Sequence, residues 1–184
     1  MTGLSHIFEM AISHIPEDEV VASPRLSHLS ERGEARMVDV GAKVPTARKA
    51  VARATVRASE QVLRQISEGT IPKGDVLAVA RIAGIQAAKR TSDLIPLCHP
   101  LRITKLEVTF NTSPSEGSVG IECTVEAHDR TGVEMEAMMG ATVAALTIYD
   151  MIKAADRWAS IHEVVLLEKL GGKSGHVMRN NPPP

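Results

Sequence analysis

Two short stretches of this 184-residue chain hold residue types at spacings that suit chemistry. In "DLIPLCHPL", residues 93–101, the thiol of Cys98 stands next to the imidazole of His99, between Pro96 and Pro100. A structural zinc site wants four ligands, and the only other cysteine is Cys123, so the pair makes a poor metal centre. A thiolate nucleophile and its base must converge, whereas neighbours in an extended passage point to opposite sides. From the residues alone two readings stay open: Cys98–His99 lines the rim of a pocket, or His99 is a satisfied structural histidine.

In "AALTIYDMIKAAD" the charges of Asp150 and Lys153 fall on one face of a helix otherwise built from Ala, Leu, Ile and Met. A buried ion pair has no strong claim to net stabilisation, so two charges kept in such company lean toward function. Glu134 and Glu136 open the same segment. The positive end of the helix dipole is reason enough for Glu134, and Glu136 stays a candidate ligand-binding carboxylate.

Basic residues recur at the ends of elements: Lys73, Lys89, Arg90, Lys153, Lys169, and Lys173 within "GGKSG". If the fold gathers four of them they form an anion pocket, whose natural occupant is a polyphosphate. "GGKSG" is not a P-loop, because that pattern needs a glycine where Leu167 stands and a helix afterwards.

These groups sit in a chain that is 43% hydrophobic, 23% charged and only 2% aromatic, so its core must be aliphatic. A net charge of −1 and few rings for stacking disfavour nucleic acid as a partner. No continuous apolar run reaches the roughly 18 residues of a membrane span, and Met1 to Val20 lacks the order of a signal peptide. The expected location is the cytoplasm, with Cys98 and Cys123 as free thiols.

Residues 1–30, with His6, His14 and His28, lack sustained periodicity and are expected to be a flexible tail. A single catalytic domain is expected over 31–176, with a second flexible tail at 177–184. "ARKAVARATVRA" alternates, Ala50, Ala52, Ala54 and Val56 against Lys49, Arg53 and Arg57, which predicts a half-buried strand. Ser59 is positioned to cap a helix that Gly69 stops, and Asp75 to cap a second helix that reads as buried over most of its circumference. Pro96 and Pro100 predict an extended passage. "KLEVTF" and "VGIECTVEA" flank the turn residues "SPSEGS" as a hairpin with Cys123 facing inward. Thr131 and Glu134 have the spacing of a capping box for the long helix, and "HEVVLLEKL" alternates as a closing strand. The order β-α-α-β-β-α-β predicts an α+β, ferredoxin-like βαββαβ sandwich with one additional inserted helix and an antiparallel sheet covered on one face by helices.

Taken together, "MVDVGAK", "KGDVLAVARIAGIQAAKRTSDLIPLCHPL", "GVEMEAM", "AALTIYDMIKAAD" and "GGKSG" resemble the cyclic pyranopterin monophosphate synthase family of molybdenum cofactor biosynthesis, from about Leu26 to Gly175. The resemblance implies a ferredoxin-like subunit that assembles as a homo-oligomer, a hexamer (trimer of dimers), with active sites at subunit interfaces. It implies a lyase that converts a cyclised dihydroguanosine triphosphate to cyclic pyranopterin monophosphate and releases pyrophosphate, with no cofactor and no metal. The substrate would then be a nucleotide-derived triphosphate. Carried across by position, the catalytic residues are Asp150, Lys153 and Lys73. The substrate-binding residues are Leu97, Cys98, His99, Glu134, Met135, Glu136, Lys89, Arg90, Lys169 and Lys173. On this reading Cys98–His99 shapes a substrate pocket.

Forming a cyclic phosphate while pyrophosphate leaves needs proton transfer and charge neutralisation. Lys153 as a base at neutral pH would need a pKa depression of roughly three units, which an adjacent Asp150 opposes. Lys153 is therefore expected to work as a protonated acid, with Asp150 orienting it or accepting a proton. The rival reading is a nucleotide- or pterin-binding subunit without catalysis of its own.

Overall fold

Strand β1, Thr46–Arg57, forms where small and β-branched residues alternate with charges, and Ala50, Ala52, Ala54 and Val56 are wholly buried. The computed structural model describes residues 34–179. Contacts divide the chain between Arg36 and Met37, and every element below belongs to the unit beginning at Met37. The expected tail over 1–30, with its three histidines, lies outside the described residues.

Helix α1, Glu60–Glu68, buries Val62, Leu63 and Ile66 and ends at Gly69, whose φ of 68° allows the left-handed turn. Ser59 holds the N-cap position, but its hydroxyl does not cap the helix. Its backbone N–H donates to Asp156 Oδ2 at 2.8 Å, which ties the helix start to the loop after the last long helix. Helix α2, Val76–Lys89, starts as predicted, with Asp75 Oδ1 accepting from the Ala78 N–H at 2.9 Å. A single turn, α3, Thr91–Leu94, follows. The passage after it is not extended as the prolines suggest: the Cys98 N–H donates to the Ile95 carbonyl at 3.0 Å and closes a turn.

Strands β2, Ile103–Ser113, and β3, Ser118–Asp129, form the hairpin, with Cys123 fully buried. Helix α4, Glu134–Ile152, begins without the capping box. Val133 is the N-cap, and the Glu134 carboxylate turns away to Lys169, an ion pair the local pattern could not reveal. Strand β4, Ser160–Leu170, pairs with β1 through two register shifts, and Glu163 adopts φ 54°. The clean alternation expected of β4 is lost to these bulges. A short strand β5, His176–Met178, pairs with β4, so strand pairing runs two residues past the boundary expected at 176.

The sheet order is β2-β3-β1-β4-β5 and every neighbouring pair is antiparallel. This is the ferredoxin-like arrangement, extended by β5 at one edge. Both long helices cover one face: α4 lies over β1, β3 and β4, and α2 lies against β2 and α4. By length and composition α4 would also suit a membrane span, but its Ala137, Ala141, Ala144, Ala145 and Ile148 are buried in the core.

Close approach explains the glycine inside α4. A Cβ on Gly140 would fall 2.5 Å from Cys123 Sγ, and one on Gly84 of α2 would fall 2.8 Å from the Gly140 carbonyl oxygen. Two glycines therefore let the helices touch each other and the sheet, which offsets the roughly 1 kcal/mol that a helical glycine costs. The expectation that α2 is buried nearly all round fails, because its outer face has no layer above it in one chain: Val79 and Ile82 are exposed, as is Leu146 on α4. The open face of the sheet carries charges, among them the pairs Lys49–Glu168, Arg53–Glu122 and Lys105–Glu126.

Candidate active site

Helix α4 carries candidate residues at both ends, and each end gathers a different set. At the C-terminal end the carbonyls of the last turn present negative partial charge, which favours cations. Lys73 arrives there from the loop ahead of α2, anchored by the buried Ile71 and turned by Gly74 at φ 99°. Its Nζ donates to the Asp150 carbonyl at 2.8 Å and stands 3.7 Å from Asp150 Oδ2. Lys153 Nζ lies 2.6 Å from Asp150 Oδ1.

This carboxylate between two ammonium groups is about half exposed rather than a buried pair. A hydrogen bond from Lys153 and the charge of that ammonium, with Lys73 adding its own, hold the Asp150 carboxyl below its ordinary range. The same hydrogen bond and charge raise Lys153. Both groups are therefore ionised at neutral pH.

At the N-terminal end Lys169 Nζ lies 2.6 Å from Glu134 Oε1. These two share a cleft of about 650 Å³ with Lys173, Lys43, Arg48 and Arg130. One carboxylate among five cations leaves the cleft with a net positive lining, which suits an anion. Sequence reasoning missed Lys43, Arg48 and Arg130. Arg48 carried a usable signal, because it has the same parity as the buried Ala50 and so points to the helix-covered side at the strand's end. Its Nε donates to the Asp129 carbonyl at 3.1 Å.

An adjoining cleft of about 770 Å³ shares Arg130 and Thr131 with the first and contains His99, His128 and Arg102. Cys98 faces elsewhere: its Sγ–H donates to Glu136 Oε1 at 3.6 Å. Glu136 is only 3% exposed, and its Oε2 has no partner. Burial pushes this carboxyl up, opposed by hydrogen bonds from its own backbone N–H and from Cys98, with the Glu134 charge adding to the rise. Burial, then the Glu136 charge, push the Cys98 thiol up to about 11, so it is no thiolate at neutral pH.

Met135 is exposed between the two glutamates, and Leu97 is partly buried beside Cys98. Lys89 and Arg90 sit exposed at the end of α2 and, among the described residues, join neither cluster. Among the described residues no three His, Cys, Asp or Glu side chains are placed to hold a metal ion. A further cleft of about 620 Å³, on the open face of the sheet beside Arg53, Arg57 and Glu163, contains none of the candidate residues.

The distance between the two clusters is set by α4 itself. From Glu134 to Asp150 the helix rises about 24 Å at 1.5 Å per residue. That is too far for one compact nucleotide to be gripped by both clusters of a single chain.

A family model described as the MoaC family matches residues 37–172. A cyclic pyranopterin monophosphate synthase from Thermomicrobium roseum is 57% identical over 150 residues, spanning 82% of this chain and 90% of that protein. One from Heliobacterium modesticaldum is 54% identical over 154 residues, 84% of this chain and 97% of that protein. Another, from Thermoanaerobacter pseudethanolicus, is 53% identical over 150 residues, 82% and 95% respectively.

Proposed function

The chain belongs to the MoaC family, and on that premise we propose how its two clusters divide the work of a cyclic pyranopterin monophosphate synthase. The enzyme acts in molybdenum cofactor biosynthesis, turning a cyclised dihydroguanosine triphosphate into cyclic pyranopterin monophosphate and pyrophosphate. Lys169, Lys173, Lys43, Arg48 and Arg130 take the triphosphate, because five cations neutralise charge that grows on the departing pyrophosphate. His99 lines the adjoining cleft and meets the pterin-forming ring, while the Cys98–Glu136 contact, with Leu97 and Met135 beside it, holds the wall that carries His99. Lys153 supplies a proton, Asp150 holds it in place, and Lys73 completes the charged group.

The observation that carries this reading is the separation of the two clusters by the length of α4. An active site at an interface solves it, with the N-terminal cluster of one copy facing the C-terminal cluster of another. The exposed Val79, Ile82 and Leu146 on the outer face of the helix layer supply apolar surface for such an assembly. Lys89 and Arg90, stranded in the single chain, then reach a neighbour's cleft. The assembly is a homo-oligomer, a hexamer (trimer of dimers), working in the cytoplasm.

Subunit mixing tests this. With substrate held well below KM, Lys153→Ala and Lys169→Ala each impair one cluster, and co-assembled subunits rebuild intact sites only where the two clusters come from different chains. Pyrophosphate release that returns in the mixed oligomer supports the shared site. Release that stays absent, with mixing verified by mass, places each site within one chain.

A further inference from the structure

Strand β5 is three residues long, and its Val177 and Met178 are exposed, so apolar burial does little to hold it. Its partner residues on β4 are Glu168 with Met178, Lys169 with Val177 and Leu170 with His176, and the Arg179 N–H reaches the Leu167 carbonyl at 2.8 Å. One side-chain chain crosses these strands on the open face of the sheet. His176 Nε2 lies 2.8 Å from Glu168 Oε1, and Lys49 Nζ of β1 lies 2.9 Å from Glu168 Oε2. Glu168 is the least exposed member and is held as a carboxylate by its hydrogen bonds from Lys49 and His176.

Between Leu170 and His176 runs the loop Gly171–Gly175. It is closed by the Gly171 N–H to the Gly175 carbonyl at 2.9 Å and the Gly175 N–H to the Gly172 carbonyl at 3.2 Å. Gly171 and Gly172 have positive φ, and a Cβ on either would collide with the Ala47 carbonyl or the Arg48 guanidinium. The loop is therefore draped over the start of β1 and carries Lys173 into the anion cleft. One end of the loop belongs to β4, which is paired along its length with β1. The other is secured only as well as β5 is.

We propose that His176 is a positioning residue: through Glu168 and Lys49 it fastens β5 to β4 and so keeps Lys173 over the cleft, where the ammonium meets phosphate oxygens. The proposal rests on the reading of that cleft as the triphosphate site. It concerns binding, so its effect falls on KM and leaves the chemical step at the Asp150 cluster alone.

The test uses the full chain with inorganic tripolyphosphate as the probe, binding read by calorimetry and amide hydrogen exchange read over residues 171–179. His176→Ala is expected to speed exchange there and weaken binding about fivefold, the scale of an exposed ion pair. His176→Gln still donates to Glu168 and is expected to restore both. In a Lys173→Ala background, His176→Ala is expected to cost no further affinity. Unchanged exchange, or the same affinity loss with and without Lys173, overturns the positioning role while the cleft keeps its anion. A wild-type chain that binds no tripolyphosphate overturns the cleft reading and this proposal with it.

Discussion

Lys73 and Asp150 stand 77 residues apart in sequence, yet Lys73 Nζ donates to the Asp150 carbonyl oxygen at 2.8 Å while facing the carboxylate of the same residue. The contact joins the loop ahead of α2 to the last turn of α4. It turns the local spacing of Asp150 and Lys153 into a three-member charged group.

Asp150→Asn leaves Lys153 and Lys73 without their shared carboxylate. Pyrophosphate release at saturating substrate is expected to fall by about 10²- to 10⁴-fold, the scale of positioned acid–base groups. Binding of substrate should change far less. Wild-type turnover in this variant would remove Asp150 from the chemistry.

Lys169→Ala should show the opposite division. Losing a charge-assisted contact to phosphate costs about 1.5–3 kcal/mol, or roughly 10- to 100-fold, and steady-state kinetics should place most of it in KM. A loss confined to kcat would move Lys169 from binding to chemistry.

Glu136 links the pocket to stability. Its carboxyl is raised above the ordinary 4.5, so the folded state holds that proton more tightly than the unfolded chain does. Its contribution is then fully present below the unfolded pKa and is lost as pH rises through the folded value. Glu136→Gln retains an acceptor for the Cys98 thiol and removes the ionisable carboxyl, so the variant no longer forgoes the proton release that the unfolded wild-type chain gains at neutral pH. Denaturant melts should find the variant more stable at pH 7 by about 1–3 kcal/mol, with the gain fading toward pH 4. Activity should drop in the same protein. A variant no more stable than wild type at pH 7 would falsify the view that Glu136 is buried at a cost.

Gly140→Ala improves helix propensity and should nevertheless destabilise, because the new methyl meets Cys123 Sγ and the sheet behind it does not yield. A net loss of about 1–3 kcal/mol is expected. Pairing it with Cys123→Ala should recover part of that loss, since the two changes share one contact. Strictly additive effects in a double-mutant cycle would show that something other than this contact limits the helix.

The elements were legible where one local signal dominated. Alternation in β1, the Asp75 cap, the stop at Gly69 and the hairpin before Cys123 all rest on short-range physics, and each is found. Local rules failed where a distant partner outbid them. Glu134 leaves the helix start for Lys169, and the bulges of β4 follow from pairing with β1. The outer face of α2 looked buried because hydropathy does not say which layer, or whose, covers it.

By itself the sequence determined the ferredoxin-like order of elements, the family, and the residue types available for chemistry, because periodicity and motif spacing are properties of the chain. Only the tertiary structure decided how those residues are grouped. It joined Lys73 to Asp150, added Lys43, Arg48 and Arg130 to the anion cleft, and paired Cys98 with a buried Glu136. It also divided most of the candidate residues between the two ends of α4 and left Lys89 and Arg90 at neither. The physical reason is that each grouping depends on crossings and registers between distant segments, and the rigid rise of a 19-residue helix then keeps the two groups apart.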